Sequence, residues 1–399
     1  MGHAERKHSL LSPSGAYQWM ACTPSAMLAR QFPDTGSPAA AEGTLAHELA
    51  ELKVRNYAHT VEFGKRKLTA AIKKLKENEL WDDEMMRYTD DYLDYIKAIT
   101  LKFPVSPHVD IERRVSLDRY IPHLPDEGEA SGSADCILVG NGIIHVIDFK
   151  YGKSPDGRVS AEWNPQMLLY ALGAYEAYRV LYRIETVRMS IVQPRLPDGL
   201  SEWECSLDEL LQFGEYVKER AALAIKGEGE FKPAPKTCRY CRARGECKAR
   251  AEKNVELAFL TGTDPALISD TEMGDYLRKG RDVARWLSDI QETALKKCLA
   301  GKMVPGWKAV EGRSTRVWTD VDEAFGILES RGVPQEILWD RRPLTVAQAE
   351  KVLGKKEFAE KAEDCVVKKP GNPALVEESD KRPAITNKVT AAEAFKEEC

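Results

Sequence analysis

Asp135, Asp148 and Lys150 are the side chains whose types and spacing point most directly to chemistry. They lie in the stretch Gly132-Ser133-Ala134-Asp135-Cys136-Ile137-Leu138-Val139-Gly140-Asn141-Gly142-Ile143-Ile144-His145-Val146-Ile147-Asp148-Phe149-Lys150, two short apolar runs joined at Asn-Gly. Asn-Gly is the strongest short-range signal for a type I′ hairpin, because both central residues take positive φ. With Asn141 and Gly142 as the turn, Gly140 faces Ile143 and Asp135 falls opposite Asp148. Directly opposed side chains share a face, with Cβ atoms about 4.5–5.5 Å apart. Lys150, two residues past Asp148, points to the same face. Two carboxylates that close repel unless a cation neutralises them. A divalent metal with a lysine beside it is the natural candidate.

Two flanking segments add to this group. His47 and Glu51 are four apart and share one face of a helix that is expected to begin near Leu45, with Thr44 as its cap. Taken alone they also read as a solvated surface pair. Gln166 and Tyr170 are four apart on a helix that Asn164 caps and Pro165 opens. His and Asp together suit Mg²⁺ or Mn²⁺, with Mn²⁺ the more tolerant of imidazole. Such a metal polarises a phosphoryl oxygen and generates the nucleophile. Lys150 could orient and help deprotonate the attacking water, or stabilise charge on the phosphate. This is equipment for hydrolysing a phosphodiester.

The nine cysteines form a second feature. Nine is odd, and the chain is long, so clustered cysteines suggest metal rather than a disulfide framework. Cys238-x2-Cys241-x5-Cys247 lies in the most basic window of the chain, with Arg239, Arg242, Arg244 and Lys248 around it. Those cations could track a phosphate backbone with salt-sensitive affinity, or simply solvate the surface. Cys22 stands at the end of a helix that begins with Ser12 and Pro13. Zinc is one reading of these cysteines, although structural zinc sites usually pair two knuckles and only one is present. Cys136, Cys205, Cys298 and Cys365 read as ordinary thiols, and Cys399 falls in the tail.

The elements that must position these residues can be placed coarsely. Lys65 to about Leu101 is helical and highly charged, a solvated cap with no chemistry of its own. Val109–Val115 and Thr186–Val192 read as strands, and Leu207–Ile225 as an amphipathic helix. Helical spacing runs from Met273 to Cys298, with Gly301 as a C-cap. Gly306–Trp318 reads as strand, turn and strand, and Thr345–Leu353 starts a last helix. Both faces of the hairpin are apolar: Ile137, Val139, Ile144 and Val146 on one, Cys136, Leu138 and Ile147 on the other. That pattern implies a sheet covered on both sides.

The order and spacing of the motifs resemble the PD-(D/E)XK nucleases, specifically the RecB-like branch with an iron–sulfur cluster, including phage-encoded members. Gly43, His47 and Glu51 match that family's Gly-x3-His-x3-Glu; Gly132 and Asp135 match Gly-x-x-Asp; Asp148, Lys150 and Gly152 match Asp-x-Lys-x-Gly; Gln166 and Tyr170 match Gln-x3-Tyr. Cys22, Cys238, Cys241 and Cys247 match the order and spacing of the cluster cysteines, which favours a 4Fe-4S cluster over Zn²⁺. The third acid of the family is often Glu, and here it is Asp148. The resemblance implies His47, Asp135 and Asp148 as ligands of one or two divalent metals, with the backbone carbonyl of Phe149 completing the sphere. It implies Glu51 in support, Lys150 assisting the water, and Gln166 and Tyr170 holding the metal site or the DNA strand. The reaction implied is DNA phosphodiester hydrolysis, exonucleolytic and end-directed, in replication, recombination or repair. A single-strand-binding or recombinase protein is an implied partner. The other readings are a catalytically silent DNA-binding recombination component and a zinc-stabilised scaffold.

The fold expected is α/β: a restriction-endonuclease-like core, with a mixed central sheet flanked by helices, an iron–sulfur clasp and a C-terminal α+β appendage. The expected organisation is a nuclease domain over 1–255 with a helical insert at about 60–105, an appendage over 256–367 and a flexible tail over 368–399. The net charge of −5 argues against a histone-like coating protein but leaves room for a local basic groove. No apolar run approaches the roughly 20 residues that span a bilayer. The charged N-terminus lacks an apolar core behind it, so a cytoplasmic protein is expected (in the host cytoplasm if phage-encoded).

Overall fold

The structure is a computed structural model, and it describes residues 9–33, 38–122, 130–259 and 270–310, with four isolated positions beyond. Contacts divide the chain into Met1–Val310 and Glu311–Cys399. The first unit holds every element discussed below. Of the strand, turn and strand expected over Gly306–Trp318, residues 306–310 form no strand: Gly306, at φ 80°, turns the chain and Trp307 makes only an isolated bridge to Val304. Residues 311–318, the helix at Thr345–Leu353 and the tail from Lys368 lie outside the described residues.

Five strands form one sheet in chain order: β1 (His108–Ser116), β2 (Ser131–Gly140), β3 (Ile143–Phe149), β4 (Thr186–Val192) and β5 (Leu200–Ser206). All neighbours are antiparallel except β3 and β4, which are parallel. A parallel pair needs a crossover, and helix α6 (Pro165–Tyr178) supplies it. The hairpin register is as the turn requires, from Gly140↔Ile143 to Cys136↔Ile147. Asn141 and Gly142 both have positive φ, 51° and 77°.

The two apolar faces of the hairpin enter two separate cores. Ile137, Val139, Ile144 and Val146 pack with α6 residues Met167, Leu168 and Leu172. Cys136, Leu138, Ile147 and Phe149 pack with Leu45 and Leu49 of α3 (Pro38–Ala58) and with Tyr92 and Ile96 of α5 (Glu84–Thr100). The site therefore grows from a strand pair fixed on both sides. The charged cap is two helices, α4 (Lys65–Leu75) and α5.

Three local expectations change. Helix α3 starts at Pro38, not near Leu45, because Ala39-Ala40-Ala41-Glu42 are strong helix formers. Thr44 is therefore inside the helix, where its hydroxyl donates to the Ala40 carbonyl rather than capping. Strand β5 has no counterpart in the sequence reading, since its Ser-Glu-Trp-Glu-Cys-Ser run is that of a polar edge strand. The helical spacing after Met273 belongs to α10 (Asp270–Leu299), with Gly301 beyond it at φ 76°.

Candidate metal and nucleic-acid site

Asp135, Asp148 and Lys150 meet at the end of the hairpin, as the register demands. The ladder ends at Cys136↔Ile147, and one step further the Asp135 carboxylate accepts the Phe149 backbone N–H at 2.7 Å. His47 on α3 brings Nδ1 to 3.4 Å from the same Asp135 oxygen. Its ring is held edge-on against Phe149, centroids 5.3 Å apart. The Lys150 ammonium is 3.1 Å from Asp148 Oδ2 and donates to Asp148 Oδ1 and Gln166 Oε1, each at 3.3 Å.

The start of α6 explains how Gln166 arrives. Asn164 caps the helix by accepting from the N–H groups of Gln166 and Met167, and Pro165 occupies the first turn. Gln166 then donates to Tyr170 at 3.1 Å and, at 3.5 Å, to Asp148. Gly132 is required here: a Cβ would lie 2.6 Å from Pro13 and 2.8 Å from the Tyr170 ring. Gly43 and Gly152 meet nothing within 4 Å, so packing explains neither.

The electrostatics are those of opposed charges in a partly desolvated place: Asp148 is buried, and Asp135, His47 and Lys150 are half-buried. Burial disfavours ionised Asp135, but His47, Lys150 and the Phe149 N–H outweigh it and hold its pKa below the usual range. For Asp148 burial wins, helped by Asp135, and its pKa rises despite Lys150. Burial opposes charge on His47 and Lys150, yet the neighbouring aspartates raise both. Asp148 Oδ2 is buried with no hydrogen-bond donor of good geometry, although the Lys150 charge is close.

One residue escaped the sequence reading. Glu112 on β1 lies between the paired residues Ile111↔Cys136 and Arg113↔Ala134, so its place in the register is opposite Asp135, where no pair forms. Its φ is 50°, in the left-handed region where a side chain costs energy. Ligand atoms of His47, Glu112 and Asp135 lie within 4.8 Å of one another, the one such trio among the described residues. Glu51 is not in that trio; its carboxylate pairs with Arg55 one turn along α3.

The four cysteines also converge. Cys22 caps α1 (Ala16–Ala21), whose last carbonyls accept from Arg220 on α7 (Leu207–Lys226). Cys238 ends α8 (Pro235–Cys238), Cys241 follows in a turn, and Cys247 precedes α9 (Lys248–Phe259). All four line one cavity, together with Phe231, Pro233 and Arg244. The Lys232 backbone N–H donates to the Cys22 sulfur at 3.4 Å. Burial pushes the Cys238 thiol up, and the Cys241 thiol to about 11.

Of the surrounding cations, Arg244 pairs with Asp289 of α10 at 3.1 Å, and Lys248 with Glu252 at 3.5 Å. Arg242 is exposed and donates to the Phe32 carbonyl. Arg239 sits over the exposed ring of Tyr240, 5.4 Å from its centroid. Buried Arg250 also bonds Asp289, so α10 is locked to the cysteine segment.

No helix among the described residues is long and apolar enough to cross a membrane. Among solved structures, the chain is similar to SSO0001 at 16% identity and a TM-score of 0.26, covering 50% of this chain and 85% of that one. It is similar to a candidate exonuclease from Eubacterium rectale at 12% identity and a TM-score of 0.31, covering 66% and 92%. It is similar to LHK-Exo, whose structure is a complex with dAMP, at 15% identity and a TM-score of 0.22, covering 46% and 91%. Residues 8–383 match the family described as "Protein of unknown function (DUF2800)", and on that near-complete match the chain belongs to the DUF2800 family.

Proposed function

We propose that this chain is a metal-dependent deoxyribonuclease that hydrolyses phosphodiester bonds, acting as an exonuclease on DNA ends. The observation that carries the reading is the meeting of His47, Glu112 and Asp135 from three different elements beside a Lys150–Asp148 pair.

The residues fit a hard divalent cation. The trio offers one imidazole and two carboxylates, and Asp148 adds a buried oxygen, Oδ2, with the Lys150 ammonium 3.1 Å away. The Phe149 carbonyl is a further donor in this proposal, and Glu51, paired with Arg55, stays in support. A bound Mg²⁺ or Mn²⁺ would supply Lewis-acid polarisation of the phosphate and offset the clustered negative charge. The chain's own side chains do the remaining work. Lys150 donates N–H groups toward the phosphate oxygens and orients the attacking water. Asp148 and Gln166 hold that ammonium in place, and Tyr170 fixes Gln166 through its hydroxyl. The Asp135–Phe149 bond keeps one carboxylate oxygen directed and leaves the other for the metal.

Cys22, Cys238, Cys241 and Cys247 would hold a 4Fe-4S cluster as a clasp between α1 and the segment before α9. One Cys-x2-Cys knuckle with two separate cysteines, one of them far away in sequence, favours the cluster over zinc, whose structural sites usually pair two knuckles. The Lys232 N–H on the Cys22 sulfur is the kind of donor that stabilises a thiolate ligand. Exposed Arg242 and Lys248 and half-buried Arg239 are the candidate backbone contacts, with Arg244 held by Asp289.

Purified protein should degrade end-labelled DNA with Mg²⁺ or Mn²⁺ and stop when the metal is chelated. Release of label as mononucleotides would mark an exonuclease. A protein that binds DNA but degrades neither single nor double strands would be the silent recombination component instead. Anaerobic purification should yield a brown, iron-containing protein; a colourless one carrying zinc would replace the cluster with the scaffold reading.

A further inference from the structure

Tyr240 stands in a turn between two anchored cysteines. Cys238 and Cys241 are buried, and the Cys241 N–H closes the turn on the Cys238 carbonyl at 3.2 Å. Arg239 and Tyr240 are its two central residues. The backbone is therefore held while the Tyr240 ring stands 75% exposed, so burial does not explain its presence. The Arg239 guanidinium lies 5.4 Å from the ring centroid, a cation–π contact that steadies the ring.

The N-terminal segment ties this turn to the Lys150 site. Pro13 packs where Gly132 leaves room, beside the Tyr170 ring. Nine residues on, Cys22 lines the cysteine cavity with Cys238 and Cys241. Those residues are a 3₁₀ turn (Pro13–Gly15) and α1, which together span about 15 Å. Helix α8 packs directly on α1. Among the groups that favour the Lys150 ammonium against burial, Tyr240 follows the two aspartates, so its hydroxyl is within electrostatic reach of the site. The surroundings are cationic: eight Lys or Arg and two Glu lie from Lys232 to Lys253. Arg244 and Arg250 are tied to Asp289, but exposed Lys236 and Arg242 form no ion pair among the described residues.

An exposed ring among free cations matches unpaired bases on a polyanionic backbone: the ring stacks a base of any kind, and the cations take the phosphates. An acidic peptide would answer the cations but not the ring. We propose that Tyr240, steadied by Arg239, is the ring on which a base of the bound DNA strand stacks, positioning the strand for Lys150. The cysteine knuckle is then a substrate-binding element as well as a clasp. The positioning toward Lys150 rests on the nuclease reading above, whereas the stacking does not.

Fluorescence anisotropy on the full-length chain, with divalent metal left out, tests this using a labelled oligothymidylate and an abasic strand of the same length. Wild type should bind the thymidine strand about tenfold more tightly than the abasic one. Tyr240→Ala should remove most of that preference, and Tyr240→Phe, which keeps the ring, should retain it. Tyr240→Ala should also leave the salt dependence unchanged, whereas Arg242→Ala should reduce its slope by about 0.7. Damage to the fold would weaken both strands alike and leave the preference in place. Equal binding of both strands by wild type, a preference that survives Tyr240→Ala, or one lost in Tyr240→Phe would each overturn the proposal. A chain that leaves DNA intact yet shows the Tyr240-dependent preference keeps the stacking and loses only the nuclease reading. A chain that degrades DNA while Tyr240→Ala keeps the preference loses only the stacking.

Discussion

Asp135 accepts the Phe149 N–H at 2.7 Å, one step beyond the last paired residues of the hairpin. A side chain thus takes the place of a backbone carbonyl at the point where the strands part. The bond ties the direction of one carboxylate to the register of β2 and β3. Phe149 in turn packs its ring against His47 and Tyr92, so the same residue orients a second candidate ligand.

Asp135→Asn separates geometry from charge. An amide oxygen can accept the Phe149 N–H, so the fold and the melting temperature should hold. The lost charge should weaken Mn²⁺ binding about tenfold or more, read by calorimetry. Unchanged Mn²⁺ affinity would remove Asp135 from the metal set.

Glu112 should show stability and binding moving in opposite directions. Its left-handed backbone costs a non-glycine residue about 1–2 kcal/mol, and glycine escapes that cost. Glu112→Gly should leave the chain as stable as wild type or up to about 1 kcal/mol more so in urea denaturation, while Mn²⁺ binding falls. A marked loss of stability would show that Glu112 is there for the fold.

How much of this could be read beforehand depends on the connections between strands. A two-residue Asn-Gly turn sets β2 against β3, so Asp135, Asp148 and Lys150 could be placed from spacing alone. The connection from β1 to β2 runs over residues 117–130, too long for its sequence to set the register as a two-residue turn does. Glu112 was therefore invisible, although its strand was not. Gln166 and Tyr170 were legible because Asn164-Pro165 marks where α6 begins. The true start of α3 was hidden because alanines before Thr44 carry helix propensity but no apolar period. Strand β5 was missed because an edge strand alternates too weakly.

Gly132→Ala should destabilise the chain by about 1–3 kcal/mol, since the added methyl meets Pro13 and the Tyr170 ring at under 3 Å. Chemical denaturation measures this. Gly43→Ala, with nothing within 4 Å of the new carbon, should be neutral or slightly stabilising.

His145 makes stability depend on pH in a defined window. Burial, with Arg188 and Lys102 nearby, lowers its pKa from 6.5 to about 3. Between those values the unfolded chain binds a proton that the native state does not. Its contribution is fully present above pH 6.5 and is lost as pH falls toward 3, at up to about 1.4 kcal/mol per pH unit. His145→Gln should flatten the stability–pH curve in that window relative to wild type. Parallel curves would mean that His145 titrates normally in the folded chain.

The central claim is that the hairpin end cleaves DNA with Lys150 as a reacting-site residue. Its most direct test is the rate of end-labelled DNA degradation in Mn²⁺ by wild type and Lys150→Ala, with Mn²⁺ affinity measured on both. Cleavage should fall about 100-fold or more while the variant still binds Mn²⁺ and melts as wild type does. A wild type that degrades neither strand form, or a Lys150→Ala chain that degrades both as fast as wild type, would contradict the account.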